Sequence, residues 1–225
     1  MGCQQSTIVE NPSIESQQVA KLPTHNQHSK GTIVYNTLDK IKERCKLYIH
    51  NPKYVYKSCG EYIVILKKLE TTITNEDRTG IVNRKFAAFR ANELMTIFII
   101  HKYDLDRQIN HIKNTSYKLK HVVYEIGKIT TSENYEFDKD KIFVAGLHYY
   151  VSIDPAYYFD LWDVKLYTGQ YLEWFSCGNK LYYGEFKFGY PVGIWILWNV
   201  KNTGYRKIQY GGQGVAIDVT PHIEI

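Results

Sequence analysis

The stretch YTGQYLEWFSCGNKLYYGEFKFGYPVGIWILWNVKNTGYRKIQYGGQG, from Tyr167 to Gly214, decides how the rest of the chain is read. It repeats itself. Gly169-x-Tyr171-x-x-Trp174 recurs 24 residues on as Gly193-x-Trp195-x-x-Trp198. Each copy then reaches a glycine (Gly178, Gly204) and an aromatic segment ending in Tyr and Gly (Tyr183-Gly184, Tyr210-Gly211). The unit reads as a glycine turn, an aromatic strand, another glycine turn and a second strand, which is the logic of a β-hairpin. Glycine supplies positive φ at turns, and Trp and Tyr alternating with polar residues suit a pleated surface. A period of this size marks a stacked array in which no single unit buries its own face.

These residues resemble a degenerate MORN-type repeat, a hairpin unit that stacks into an elongated sheet. The resemblance rests on G-x-W-x-x-W, a following glycine and a strand ending in Tyr. It covers about one fifth of the chain, and the second copy carries two extra residues between Trp198 and Gly204. It implies a scaffold surface that contacts lipid or protein rather than a catalytic site. On that footing Tyr171, Trp174, Trp195 and Trp198 are the candidate partner-binding residues. The simpler alternative is a plain antiparallel stack whose tryptophans are core.

Composition sets the outer limits. At 225 residues the chain is one large domain, or one domain with an appendage. Tyrosine is over-represented at 20 residues, which favours strands. The balance of 28 basic and 23 acidic side chains gives +5, with no block of Lys or Arg, so nucleic acid is not an expected partner. Lysine far exceeds arginine, which argues against a bidentate phosphate reader. Cys3, Cys45, Cys59 and Cys177 are widely spaced and form no CxxC or Cys/His metal pattern, so free thiols are expected. No apolar run approaches the ~20 residues needed to cross a bilayer as a helix.

Residues 1–30 are rich in Gln, Ser, Asn, His and Thr and cannot bury enough apolar surface to offset ordering entropy, so this segment is expected to be disordered. Its start is different. Met1-Gly2-Cys3-Gln4-Gln5-Ser6 matches M-G-x-x-x-[ST], the signal for myristoylation of Gly2 once Met1 is removed. Cys3 beside it is placed for palmitate. A second lipid matters because one myristoyl chain binds membranes only marginally, with K about 10⁴ M⁻¹. Gly2 and Cys3 are therefore the candidate lipidation sites, and the membrane the expected partner of this end, in a eukaryotic cytosol.

Residues 31–165 read as a mixed α+β domain. Leu38, Ile41, Cys45 and Tyr48 fall at helical spacing, with Asn36 or Thr37 as the cap and Asn51-Pro52 as the stop. Strands are expected over 61–69, 95–100, 121–127 and 142–150, and a helix over 155–162 with Pro155 in its first turn. The order F-R-A (Phe89–Ala91), Y-E-x-G-K (Tyr124–Lys128), F-D-x-D (Phe137–Asp140), G-L-H-Y-Y (Gly146–Tyr150) and A-Y-Y (Ala156–Tyr158) resembles an uncharacterised domain of giant, mimivirus-like DNA viruses. Many relatives carry a cysteine where this chain has Phe143 or Val144, so thiol chemistry at that place is not expected. The resemblance implies a viral protein acting in a host cytoplasm and carries no settled activity.

Arg90, Asp138, Asp140, His148 and Tyr149 are the residues to test for chemistry. The Gly-x-His-Tyr-Tyr strand and the Ala-Tyr-Tyr helix are similar to the nucleotide-gripping elements of ADP-ribosyltransferase-like enzymes, which use an Arg or His and a late Glu. That Glu has no counterpart here, since Glu173 and Glu185 lie inside the repeat. A strand histidine between apolar residues is ordinarily a hydrogen-bonded core residue, and Arg90 is expected to pair with a carboxylate such as Asp138. Asp138-x-Asp140 lacks the Gly and Glu of a calcium loop and reads as a turn. No P-loop, G-x-G-x-x-G, H-E-x-x-H or G-x-S-x-G occurs. No cofactor and no metal are expected, and Arg90 and His148 are the catalytic candidates should there be a site.

The expectation is a β-rich α+β protein: a lipidated tail (1–30), a mixed domain (31–165), and an antiparallel stack of MORN-like hairpins closed by a terminal strand (166–225). Non-enzymatic scaffolding at a membrane is the preferred reading. A nucleotide-binding enzyme in the middle domain and a soluble host-interaction protein are the alternatives.

Overall fold

Val55-Tyr-Lys-Ser-Cys59 and Tyr62-Ile-Val-Ile-Leu66 are β-branched and aromatic runs separated by Gly60-Glu61, and Gly60 has φ +57°. They form the central hairpin of the protein, β2 (Tyr54–Cys59) and β3 (Tyr62–Lys67). In the computed structural model residues 33–114, 122–159, 161, 166–211 and 216–220 are described. Gly2, Cys3 and the rest of the 1–30 tail lie outside the described residues, as do Trp162 and Val215.

Around this hairpin gather β4 (Ala88–Ala91), β5 (Glu93–His101), β8 (Ile129–Thr131) and β9 (Leu147–Tyr150), in the order β4-β9-β2-β3-β5-β8. Every pairing in this first sheet is antiparallel. β6 (His111–Lys113) and β7 (Val123–Glu125) make a separate two-stranded ribbon. One face of the first sheet buries Val55, Cys59, Val64, Leu66, Phe89 and Leu147 with Tyr124 from β7. The alternation expected over 142–150 holds only from Leu147 onward, because the preceding backbone is spent wrapping the Arg90 side chain.

The helix expected near residue 38 divides into α1 (Leu38–Arg44) and α2 (Lys46–Ile49), with Leu38, Ile41 and Cys45 buried. Its start is held by the Asn36 side chain, which accepts from the Leu38 N–H at 2.9 Å. The Thr37 hydroxyl donates to the Lys102 carbonyl instead of capping. The second expected helix is shorter than the 155–162 span. It is α3 (Ile153–Tyr158), with Pro155 in its first turn.

The C-terminal sheet has the order β1-β10-β11-β12-β13-β14, with β1 (Val34–Tyr35), β10 (Tyr167–Trp174), β11 (Lys180–Lys187), β12 (Tyr190–Trp198), β13 (Tyr205–Tyr210) and β14 (Ala216–Asp218). β10 to β14 form an antiparallel meander, and β1 joins β10 in parallel. The expected boundary at 165/166 falls where the chain passes from one sheet to the other, and β1 crosses it. Gly31–Ile225 form one compact unit.

The repeat has a different layout from the expected one. Gly169 and Gly193 lie inside β10 and β12, not at turns. The tight turn between β11 and β12 is Phe188-Gly189, with φ +52° and +79° at its two central residues. Positive φ at both is the hairpin geometry that matches strand twist. The glycine that shapes the sheet is Gly184. It pairs with Tyr171, and a Cβ on it would sit 2.2 Å from the Trp195 ring. Trp195 therefore lies across β11 in the space Gly184 leaves and stacks on Tyr171, with centroids 5.7 Å apart and planes at 27°. The two repeat-equivalent aromatics meet over a missing side chain.

The sheets are locked by the turn between β10 and β11. The Ser176 carbonyl accepts from the Ala88 N–H at 3.0 Å and the Arg78 guanidinium at 2.7 Å, and the Cys177 carbonyl from the N–H groups of Val82 and Asn83 at 3.0 and 3.1 Å. Gly178 has φ +91°, and a Cβ there would lie 2.0 Å from the Asn83 carbonyl oxygen. Gly178→Ala is thus expected to cost about 2–4 kcal/mol through strain and overpacking. Its repeat counterpart Gly204 meets only the Asn199 amide, at 3.2 Å, so Gly204→Ala should cost under about 1 kcal/mol. Urea unfolding of both variants measures the difference.

Candidate functional site

Arg90 and His148 face each other as cross-strand partners of β4 and β9. Their side chains do not converge on one site. Arg90 is fully buried. Its guanidinium donates to the carbonyls of Lys141 at 2.9 Å, Glu136, Asp138 and Ala145, and lies 4.8 Å from the centre of the Tyr135 ring. The sequence expectation of an Arg90–Asp138 ion pair is corrected here, because the acceptor is the Asp138 backbone. Gly146 lets the loop close, since a Cβ on it would stand 3.0 Å from the Arg90 Cβ. With its guanidinium committed to four carbonyls, Arg90 is the post around which residues 136–145 fold.

His148 is half-buried, and its Nε2–H donates to the Val144 carbonyl at 3.0 Å. Burial, with Lys57 nearby, pushes its pKa down to about 4. At neutral pH it is an uncharged imidazole. Tyr149 points to the other side of β9 and donates to Glu76 at 2.7 Å. Glu76 is a carboxylate that sequence reasoning missed. Lys68 at 2.8 Å and Arg84 also hold it, and although burial raises its pKa, these partners together bring it below the ordinary range. Asp138 and Asp140 serve a turn: Asp138 accepts from the Asp140 N–H at 3.2 Å, and Asp140 accepts from the Thr79 N–H and hydroxyl at 2.7 and 2.9 Å. Among the described residues no cluster of three or more His, Cys, Asp or Glu is arranged to hold a metal, and Cys45 and Cys177 are free thiols.

A cleft of about 80 Å³ opens beside β2 and β9. His148 lines it with Lys57, Tyr124, Leu147, Tyr150 and Phe159, and Arg90 is not part of its wall. Lys57 was not singled out by motif. The signal was the alternation of β2, which puts a lysine between Val55 and Cys59 on the core side.

The four repeat aromatics separate into three environments. Tyr171 and Trp195 are 3 % and 2 % exposed and pack with Phe186 and Tyr210, so they are core and cannot meet a partner. Trp174 stacks on Phe86 at 4.7 Å and adjoins Tyr158, tying the two sheets together. Trp198 remains on the outer face. There it pairs with Tyr205, two register positions from the Ile196–Lys207 pair on the same face. Ile194, Tyr205 and Ile217 on this face are 52 %, 45 % and 60 % exposed. Lys180 lies 5.6 Å from the Trp198 ring centre and Lys207 5.5 Å from that of Tyr205. The face is a strip of aromatic and aliphatic side chains bordered by lysines.

The chain matches no family profile, no curated protein and no solved structure.

The depressed His148 pKa gives a signed expectation. The native state resists protonation while the unfolded chain takes up a proton near the ordinary value of 6.5. The contribution is therefore complete above pH 6.5 and is lost as pH falls toward 4. At ~1.4 kcal/mol per pKa unit, it comes to roughly 3 kcal/mol. Between those limits the wild type should lose about that much more unfolding free energy than His148→Gln, measured by urea titration across pH.

Proposed function

We propose that this is a non-enzymatic, membrane-attached interaction protein. Its N-terminus carries lipid at Gly2 and Cys3, and the outer face of the C-terminal sheet receives a protein partner. The observation that carries the reading is the outer face of the sheet, where Ile194, Tyr205 and Ile217 are exposed beside the half-buried Trp198 and where Lys180 and Lys207 lie against the two rings. Isolated apolar residues on a surface are ordinary, but a contiguous aromatic strip on a sheet face is where interfaces form. Tyr and Trp add contact area at low conformational cost.

We read β10–β13 as two MORN-type hairpins, supported by the stacking of Tyr171 on Trp195 across Gly184. In that reading the buried aromatics hold hairpin to hairpin and leave the opposite face for contact. The resemblance of residues 61–159 to a domain of giant DNA viruses agrees with a lipidation signal that only a eukaryotic cytosol would act on. The nucleotide-binding alternative is weakened by Arg90, which is enclosed by carbonyls and does not line the cleft beside His148.

The test is intact mass and membrane fractionation in eukaryotic cells. The expected result is a myristate-sized mass gain and membrane association for the wild type, both lost in Gly2→Ala. An unmodified protein in the soluble fraction would overturn the anchored reading. For the contact face, an Ile194→Glu/Tyr205→Glu variant should keep its fold, with stability changed by less than about 1 kcal/mol. It should lose the cross-linked protein species formed by the wild type at the membrane.

A further inference from the structure

Lys57 occupies a core position of β2. It is 5 % exposed, while Val55 and Cys59, its neighbours on the same side of the strand, are fully buried. An ammonium has three N–H donors. Among the described residues this one has a single acceptor, the His148 carbonyl at 3.1 Å, and it lies 5.9 Å from the centre of the Tyr124 ring. Among the described residues no carboxylate lies within ion-pair distance of it. Lys102, fully buried just after β5, shows the contrast: it donates to the Ser58 hydroxyl and the Phe159 carbonyl, both at 2.8 Å. Burial lowers the Lys57 pKa, as expected for an ammonium with too few partners.

Lys57 is part of the wall of the 80 Å³ cleft. The rest of that wall is chiefly hydrocarbon and ring: Val122, Tyr124, Leu147, Tyr150 and Phe159. We propose that the cleft binds a small apolar carboxylic acid as its carboxylate, with Lys57 as the cationic anchor. The carboxylate supplies the acceptor that Lys57 lacks, in a medium where a charge-assisted bond is strong. The hydrocarbon part of the ligand lies along Tyr124 and Leu147 and leaves water at ~25 cal/mol per Å². The volume is well below the ~300 Å³ at which drug-sized sites begin, so the acid has only a handful of heavy atoms. One cation in the wall suits a monoanion. A phosphate dianion would bring a second charge into an apolar wall with nothing to offset it.

The experiment is heteronuclear NMR titration of the full chain with benzoate and butyrate, with benzamide and inorganic phosphate as controls, repeated on Lys57→Met. The expected result is saturable shifts at Lys57, Tyr124, Leu147 and His148 with either acid, and none with benzamide or phosphate. Affinity for the acids should fall at least tenfold in Lys57→Met. That variant should melt no lower than the wild type without ligand, because Met fills the same space without an under-bonded charge. The proposal is overturned if no acid shifts these residues at millimolar concentration, or if benzamide or phosphate binds as well as benzoate. It is equally overturned if a folded Lys57→Met binds benzoate undiminished. Should Lys57→Met fail to fold, the wild-type shifts and the two controls decide the matter.

Discussion

The turn between β10 and β11 presses its backbone against the segment leading into β4, and this contact holds the two sheets together. Ser176 and Cys177 offer carbonyls to three backbone N–H groups and one guanidinium. Separated from that turn, the buried Arg78 and the half-buried Ala88 would lose their acceptors, and a buried donor left unmade costs about 1–3 kcal/mol, whereas Val82 and Asn83 are exposed and would bond to water. The approach is possible because Gly178 has no side chain to strike the Asn83 carbonyl. Aromatic rings extend the contact. Trp174 stacks on Phe86, and Tyr158 of α3 reaches both Trp174 and Tyr171. Tyr157 and Tyr158 also accept from Thr37 and Asn36, which places α1 beside the same junction.

Three of the cations buried in and around the first sheet are held in different ways. Arg90 spreads its fork over four carbonyls and fixes a loop that has little secondary structure of its own. Lys102 finds a hydroxyl and a carbonyl. Lys57 has one carbonyl and an aromatic ring beside an open cleft. The first two arrangements stabilise the fold directly, because interior charges are tolerated when hydrogen bonds replace their water. The third leaves solvation incomplete beside a cleft where a small molecule has room. Among its described residues the C-terminal sheet buries no charged side chain, and aromatic rings fill much of its inner face.

Several features were legible without coordinates. The hairpin order of residues 167–210 followed from glycine and aromatic spacing, because turns and pleats are local. Leu38, Ile41 and Cys45 marked their helix face correctly, and the expected terminal strand is present as β14. The roles of the repeat residues were not legible. Gly169 and Gly193 were expected at turns and lie within strands, since Phe188-Gly189 takes the turn. Tyr171 and Trp195 are interior and Trp198 is on the outer face. Strand bulges after Glu173 and around Gly184 reset which side each residue faces.

By itself, then, the sequence determined a β-rich α+β protein with antiparallel hairpins. Those properties depend on composition and on neighbours a few residues apart. Tertiary structure decided what faces what across long stretches of chain. It put Arg90 among the carbonyls of residues 136–145, joined Glu76 to Tyr149, and set Lys57 against His148. Such contacts are fixed by strand register and loop closure. Neither leaves a periodic trace in the sequence, because the same side-chain pattern accommodates many registers until the whole core is packed.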